Sequence, residues 1–363
     1  MDPDATKALR EEFAATLGGG SPSPWRTAFA AVPRHVFVPE FYGQDVRGEW
    51  YRVTQADDAY LETVYSDTAL MTRLDAHGVP TSSSSEPGLM LTMLDALDAE
   101  PGATVFELGT GTGYNAALLA HRLGAENVTS VDVDPDLVAL ADRRLRESGT
   151  APFVTTADGA LGYPPRAPYT RFIATAALRS VPRALMEQAA DDAVIVAPIG
   201  FGVIRAAVTA PGHAEGRFLA TPALFMPVRL PPGSGPDLAA VRERPPESTS
   251  LPVTDVLGGR WTFPLSLALP GYNAVAWRAD DGGASGVSGM CLWTEDGSTV
   301  LAHADGHVRQ AGPRRLWDTV EEVASLFPGG RPAREDFGIT VTPTAQRFWY
   351  GTPQGASWPL PTE

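Results

Sequence analysis

The stretch "TVFELGTGTGYNAALLAHRLGAENVTSVDVDPDLVALADRRL", residues 104–145, decides the fold. It opens on a short apolar run that predicts a buried strand ending near Glu107. Glycines follow at 109, 111 and 113, and apolar residues at helical spacing predict a helix from about Tyr114. A second strand, "NVTSVDV", and a second helix, "DLVALADRRLRESG", complete the unit. A glycine loop between strand and helix lets the backbone turn tightly and approach a ligand, and the helix N-terminus presents free N–H groups. A nucleotide-like cofactor is implied. Asp132, at the end of the second strand, can accept hydrogen bonds from both hydroxyls of a ribose.

The alternation continues on both sides of this unit. "LMLTMLDAL" reads as a helix, "FVTTADG" and "RFIATAA" as strands, "RALMEQA" as a helix and "DAVIVAPIG" as a strand. Such alternation predicts an α/β fold, a Rossmann-like parallel and doubly wound sheet over residues 81–230. Residues 1–80 read as an N-terminal segment of helix and irregular loop. Residues 231–249, where Pro, Gly and charge replace periodicity, read as a linker. Residues 250–363 read as a small C-terminal α+β domain, with a helix near "RLWDTVEEVASLF" and a strand at "GITVTP".

Composition narrows the function. A chain of 363 residues, 44% of them hydrophobic, can bury a sizeable core. The net charge of -15 argues against nucleic acid as a partner, because such binders carry a basic face. No apolar run approaches the roughly 20 residues that cross a bilayer, so no membrane partner is expected. The charged start "MDPDATKALREEF" is unlike a secretory signal and leads to the expectation of a cytoplasmic protein. The single Cys291 excludes an internal disulfide, and the six histidines lack ligand spacing, so no metal is expected.

Two cofactors compete for the glycine loop. Gly111-Thr112-Gly113-Tyr114-Asn115-Ala116 satisfies a loose dinucleotide fingerprint. Glu107 favours the other candidate: an acid just before the loop repels a pyrophosphate but suits S-adenosyl-L-methionine, which carries a sulfonium and an amino group and no phosphate. Asp158 and Gly159 stand at the end of the third strand, where a carboxylate can accept from an adenine amino group. Further upstream, "GVPTSSSSEPGLMLTMLDAL", residues 78–97, lines up four serines before a helix. One serine is enough to cap a helix; the others suggest a polar loop or a site that holds an oxygen-rich group.

In order along the chain, "VPRHVFVPE", "VFELGTGTGYNAALLA", "ADGALG", "IATAALRSVPRALMEQ", "VAPIG" and "FMPV" resemble the blocks of the protein-L-isoaspartate O-methyltransferase family, over approximately residues 25–230. The resemblance implies S-adenosyl-L-methionine as cofactor, with Glu107, Gly109, Gly111, Gly113, Asp132, Asp158 and Gly159 at its site. It also aligns "SSSEP" with that family's Thr-Ile-Ser-x-Pro block, Ser83, Ser85 and Pro87 taking the Thr, Ser and Pro places. In that family the serine is close to the accepting carboxylate, which implies Ser85 there, and the row Ser83, Ser84 and Ser85 is expected to supply its hydroxyl donors. The chemistry agrees: a carboxylate is ionised at neutral pH, so its methylation needs positioning and no general base.

Three departures shift the expected substrate. Ser84 replaces an apolar residue of the block, the stretch from Trp50 to Pro80 is longer than the family's approach to it, and the C-terminal region has no counterpart in the short repair enzyme. These features are similar to the members encoded with ribosomally made, modified peptides such as lanthipeptides and graspetides. That similarity implies methylation of an aspartate in a modified precursor peptide, the ester closing to an aspartimide. The C-terminal aromatics Trp317, Phe348, Trp349 and Trp358 would then grip the peptide or simply fill a core. Repair of isoaspartate, and a non-catalytic cofactor-binding scaffold, are the alternatives.

Overall fold

The structure, a computed structural model, describes residues 3–226, 235–278 and 287–360. The expected boundary at 230/231 and residues 231–234 of the expected linker lie outside them.

Residues expected to be helix and irregular loop form a four-stranded antiparallel sheet, and this is a correction. Its strands are β1 (Glu40–Gln44), β2 (Trp50–Thr54), β3 (Leu70–Leu74) and β4 (Pro80–Ser84), in the order β2-β1-β3-β4. The signal was in the turns. "DVRG" and "DAHG" repeat one device: Asp45 accepts from the N–H groups of Arg47 and Glu49, and Asp75 from those of His77 and Val79, with a glycine closing each hairpin. The strands themselves are short and half-buried, so their alternation is faint.

The main sheet has ten strands. In chain order its first seven are β5 (Val105–Leu108), β6 (Val128–Asp132), β7 (Phe153–Thr156), β8 (Tyr169–Ala174), β9 (Ala189–Ile199), β10 (Gly202–Ala210) and β11 (His213–Phe218). Strands β9, β8, β5, β6 and β7 run parallel, and β10 and β11 continue the sheet antiparallel. The chain steps from β5 outward to β6 and β7, then returns to β8 on the other side of β5. That reversal opens a crevice beyond the carboxyl ends of β5 and β8, where open α/β sheets bind ligands.

The C-terminal region divides. Strands β12 (Glu247–Ser248), β13 (Asn273–Arg278), β14 (Val287–Trp293), β15 (Thr299–His303) and β16 (His307–Ala311) form a separate antiparallel sheet, ordered β12-β16-β15-β14-β13. Strands β17 (Phe337–Val341), β18 (Gln346–Tyr350) and β19 (Ser357–Pro359) return to the main sheet, β17 pairing with β11.

Side chains alternate across the main sheet as strand geometry requires. Val105, Ile173, Val194 and Val196 pack against the N-terminal helices and the helices Pro87–Leu97 and Tyr114–Leu123. Phe106, Phe172 and Ile195 belong to the opposite core, which also contains Val253, Trp261, Phe263, Trp317, Phe337 and Phe348. The C-terminal segment thus contributes much of the core on that face of the sheet. Trp317, Phe348 and Trp349 are at most 2% exposed and Trp358 is 9% exposed, so of the two expected roles these aromatics fill the core.

Candidate active site

A cavity of about 350 Å³ lies at the carboxyl ends of β5, β6 and β8, within the size range of small-ligand sites. The glycine loop forms its floor. Gly109 and Thr110 donate to the Val131 carbonyl at 2.8 and 3.1 Å, which binds the loop to β6. Gly109 has φ +97, and a Cβ there would stand 2.6 Å from Thr175 Oγ1; only glycine fits between β5 and the end of β8. The Asp132 carboxylate accepts from the Gly111 N–H at 2.9 Å and from the Asp134 N–H at 3.1 Å, which sets it at the rim of the loop.

The opposite wall is β4. Ser82, Ser83, Ser84 and Ser85 all border the cavity, and the Ser83 carbonyl lies 3.8 Å from where a Cβ on Gly111 would be. Their hydroxyls divide by strand alternation. Ser82 accepts from Thr72 at 3.2 Å. Ser84, 3% exposed, accepts from Nε and Nη2 of Arg34 at 3.4 and 3.3 Å. Ser83 and Ser85 are half-buried, and among the described residues their hydroxyls have no partner.

Arg34 is the residue that sequence reasoning missed. It is wholly buried and its guanidinium donates to the carbonyls of Val64, Ser66, Thr68 and Ser85 at 2.9 to 3.1 Å. Burial lowers its pKa to about 10, opposed by the nearby Tyr114 and Asp67, so it remains charged. It ties the serine strand to the preceding loop. Arg73 on β3 adds a second tie, donating to Asp134 at 2.6 Å. The only sequence signal for Arg34 was its place inside "VPRHVFVPE".

Of the ten residues expected at the site, Ser83, Ser84, Ser85, Gly109, Gly111, Asp132 and Gly159 border the cavity, and Glu107, Gly113 and Asp158 do not. Glu107 sits one layer behind it. Its two oxygens accept from Asn115 Nδ2 at 2.7 Å and Ser130 Oγ at 2.5 Å, and burial pushes its pKa up to about 7 despite both bonds. Gly113 lets the helix Tyr114–Leu123 approach the helix Pro135–Glu147: a Cβ would stand 3.1 Å from Ala141 Cβ. Asp158 is exposed and caps a short turn through the Ala160 N–H. Gly159 packs against β5, a Cβ being 2.4 Å from Leu108 Cγ.

The cavity suits a cation-bearing ligand without phosphate. Among the described residues that line it none is Lys, Arg or His, whereas Glu86 and Asp132 are acidic. The Oδ1 of Asn115 is buried there with no hydrogen-bond partner, an open acceptor for an ammonium group. These groups fit S-adenosyl-L-methionine and disfavour a dinucleotide.

Comparison with known proteins decides the family. The family model for protein-L-isoaspartate(D-aspartate) O-methyltransferase matches residues 24–219, more than half of the chain. The chain belongs to the protein-L-isoaspartate O-methyltransferase family. Among its relatives, protein-L-isoaspartate O-methyltransferase 1 of Archaeoglobus fulgidus is 35% identical over 175 residues, 48% of this chain and 70% of that protein. The enzyme of the same name from Hyperthermus butylicus is 31% identical over 217 residues, 56% of this chain and 80% of that protein. A solved protein-L-isoaspartate O-methyltransferase structure shares the fold over 94% of this chain and 100% of its own, at 20% identity and a TM-score of 0.55. That likeness takes in most of the C-terminal region as well. The protein is an S-adenosyl-L-methionine-dependent carboxyl O-methyltransferase. No helix among the described residues is long and apolar enough to cross a membrane.

Proposed function

We propose that this carboxyl O-methyltransferase methylates the side-chain carboxylate of an aspartate in a ribosomally made, modified precursor peptide, and that the ester then closes to an aspartimide. The observation that carries the reading is the hydroxyl-lined edge strand β4 opposite the glycine loop, where Ser83 and, just past the strand's end, Ser85 keep hydroxyls without a partner among the described residues. When bound, the cofactor supplies an electrophilic methyl group on sulfur. The chain's own residues do the rest. Asp132 would hold the ribose, and Gly159 would let the adenine approach β7.

Ser83 and Ser85 would donate to one oxygen of the acceptor carboxylate, which leaves the other free for in-line attack. Hydroxyl donors orient a carboxylate without the charge pairing that would blunt its nucleophilicity, and no cation lines the cavity among the described residues. Ser84 would act through Arg34, holding the strand. The walls around the serines, Met71, Leu89 and Met90, are apolar and strip water from the attacking oxygen. Closure to the aspartimide needs only the following backbone amide as nucleophile and methanol as leaving group. A peptide already constrained by rings would preset that amide beside the ester. The substrate would be made in the cytoplasm, which is where this reading puts the enzyme.

A second reading is repair of isoaspartyl residues. The names of the relatives in Archaeoglobus fulgidus and Hyperthermus butylicus favour it. The C-terminal sheets do not separate the two readings, because the solved structure named for the isoaspartate enzyme shares the fold over 94% of this chain. Mass spectrometry separates them. The purified protein is incubated with S-adenosyl-L-methionine and three substrates: an isoaspartyl peptide, its aspartyl twin, and any precursor peptide encoded beside its gene. The proposal expects methylation of the precursor followed by loss of methanol, with both linear peptides unchanged. Methyl transfer to the isoaspartyl peptide with the precursor untouched replaces it by repair.

A further inference from the structure

We infer that Asn115 receives the ammonium group of the cofactor's amino-acid tail, and that Glu107 is a positioning residue which aims it. Four buried side chains form one chain of hydrogen bonds behind the glycine loop. Thr110 Oγ1 and Ser130 Oγ are 2.7 Å apart, Ser130 donates to Glu107 Oε2, and Asn115 Nδ2 donates to Glu107 Oε1. Ser130 is the register partner of Glu107 across β5 and β6, so strand pairing itself builds the first half of the chain. In its ionised form the carboxylate can only accept, and it then takes the amide nitrogen of Asn115 and turns the amide oxygen away.

That oxygen is the odd member. Asn115 is 9% exposed and borders the cavity, yet among the described residues its Oδ1 has no donor. A buried acceptor left without a donor costs stability, and the cost is recovered when a ligand brings one. Two acceptors of the loop are already engaged: the Gly109 carbonyl accepts from Thr175 Oγ1 at 2.5 Å, and the Thr110 hydroxyl is paired with Ser130. Sheet order fixes which end of the ligand arrives here. Gly159 follows β7, Asp132 ends β6 and the glycine loop follows β5, with Thr175 beyond β8. A ligand with adenine by Gly159 and ribose at Asp132 lays its amino-acid tail over the first turn of the helix Tyr114–Leu123, where Asn115 stands. An ammonium has donors only, which matches an open acceptor.

This inference rests on the cofactor assignment and is independent of which carboxylate is methylated. The test is calorimetric binding of two ligands to the full chain and to Asn115→Leu, which keeps the volume and removes the acceptor. S-adenosylhomocysteine carries the ammonium; 5′-methylthioadenosine keeps the adenosine and sulfur and lacks the tail. Asn115→Leu should weaken S-adenosylhomocysteine by about ten- to a hundredfold, the worth of a hydrogen bond to a charged group, and leave methylthioadenosine unchanged. If the leucine variant does not fold, Asn115→Ala makes the same comparison. Equal loss for both ligands, or no loss for either, overturns the inference and leaves Asn115 a structural residue. Failure of the unaltered chain to bind S-adenosylhomocysteine overturns the cofactor assignment as well.

Discussion

Replacing Ser83, Ser84 and Ser85 one at a time separates strand support from substrate contact. Ser84 accepts two bonds from a buried guanidinium, and bonds to charged groups are worth about 1.5–3 kcal/mol. Both are long, 3.4 and 3.3 Å, against carbonyl bonds of 2.9 to 3.1 Å to the same guanidinium. Arg34 keeps those carbonyls when the hydroxyl is removed. Ser84→Ala should therefore cost about 1–2 kcal/mol of stability, at or below the bottom of that range. Ser83→Ala and Ser85→Ala remove hydroxyls without partners and should stay within about 0.5 kcal/mol of the unaltered chain. Their effect should appear in turnover, as about a ten- to hundredfold fall if each donates to the acceptor carboxylate. Urea unfolding followed by tryptophan fluorescence gives the first quantity, and single-turnover methyl transfer gives the second. The reasoning fails if Ser84→Ala is as stable as the parent, or if Ser83→Ala and Ser85→Ala unfold early with their turnover intact.

Three further outcomes follow from the same geometry. Because burial raises the Glu107 pKa from 4.5 to about 7, the folded state holds a proton that the unfolded state releases between those values, so stability falls as pH rises across that window. Glu107→Gln should remove that slope; parallel pH–stability curves for parent and variant in urea would refute the assignment. Gly159→Ala puts a Cβ 2.4 Å from Leu108 Cγ and should lower stability by about 1–3 kcal/mol and weaken cofactor binding, both readable in one thermal-shift titration. Truncation before Phe337 strips β17 from β11 and removes Phe337, Ile339 and Phe348 from the core that holds Phe218 and Phe263. The truncated chain should aggregate; a soluble fragment with native far-ultraviolet circular dichroism would show that the C-terminal strands are dispensable.

The candidate site was legible where chemistry is written in one local stretch. Gly109, Gly111 and Asp132 reach the cavity because strand, loop and helix are consecutive and their spacing fixes where the loop turns. Glu107 was placed correctly along the chain and wrongly in depth. Strand alternation decides which face of β5 a residue takes, but only the packing of Asn115 and Ser130 shows that its carboxylate is enclosed. The serines misled in the same way. Four identical neighbours read as one polar run, and pairing with β3 sorts them into hydroxyls held by Thr72 and Arg34 and hydroxyls left open.

By itself the sequence determined the parallel α/β core, its glycine loop and the class of cofactor, because these follow from periodicity and from residues close together in the chain. Tertiary structure alone decided three matters. It turned residues 40–84 into a sheet that walls the cavity, since hairpin strands this short are stabilised by what they pack on. It brought β17–β19 back to β11, a pairing between residues more than a hundred positions apart that no local pattern records. And it set Arg34 against Ser84 and Ser85 across about fifty positions, because a buried guanidinium must find its acceptors wherever the fold delivers them.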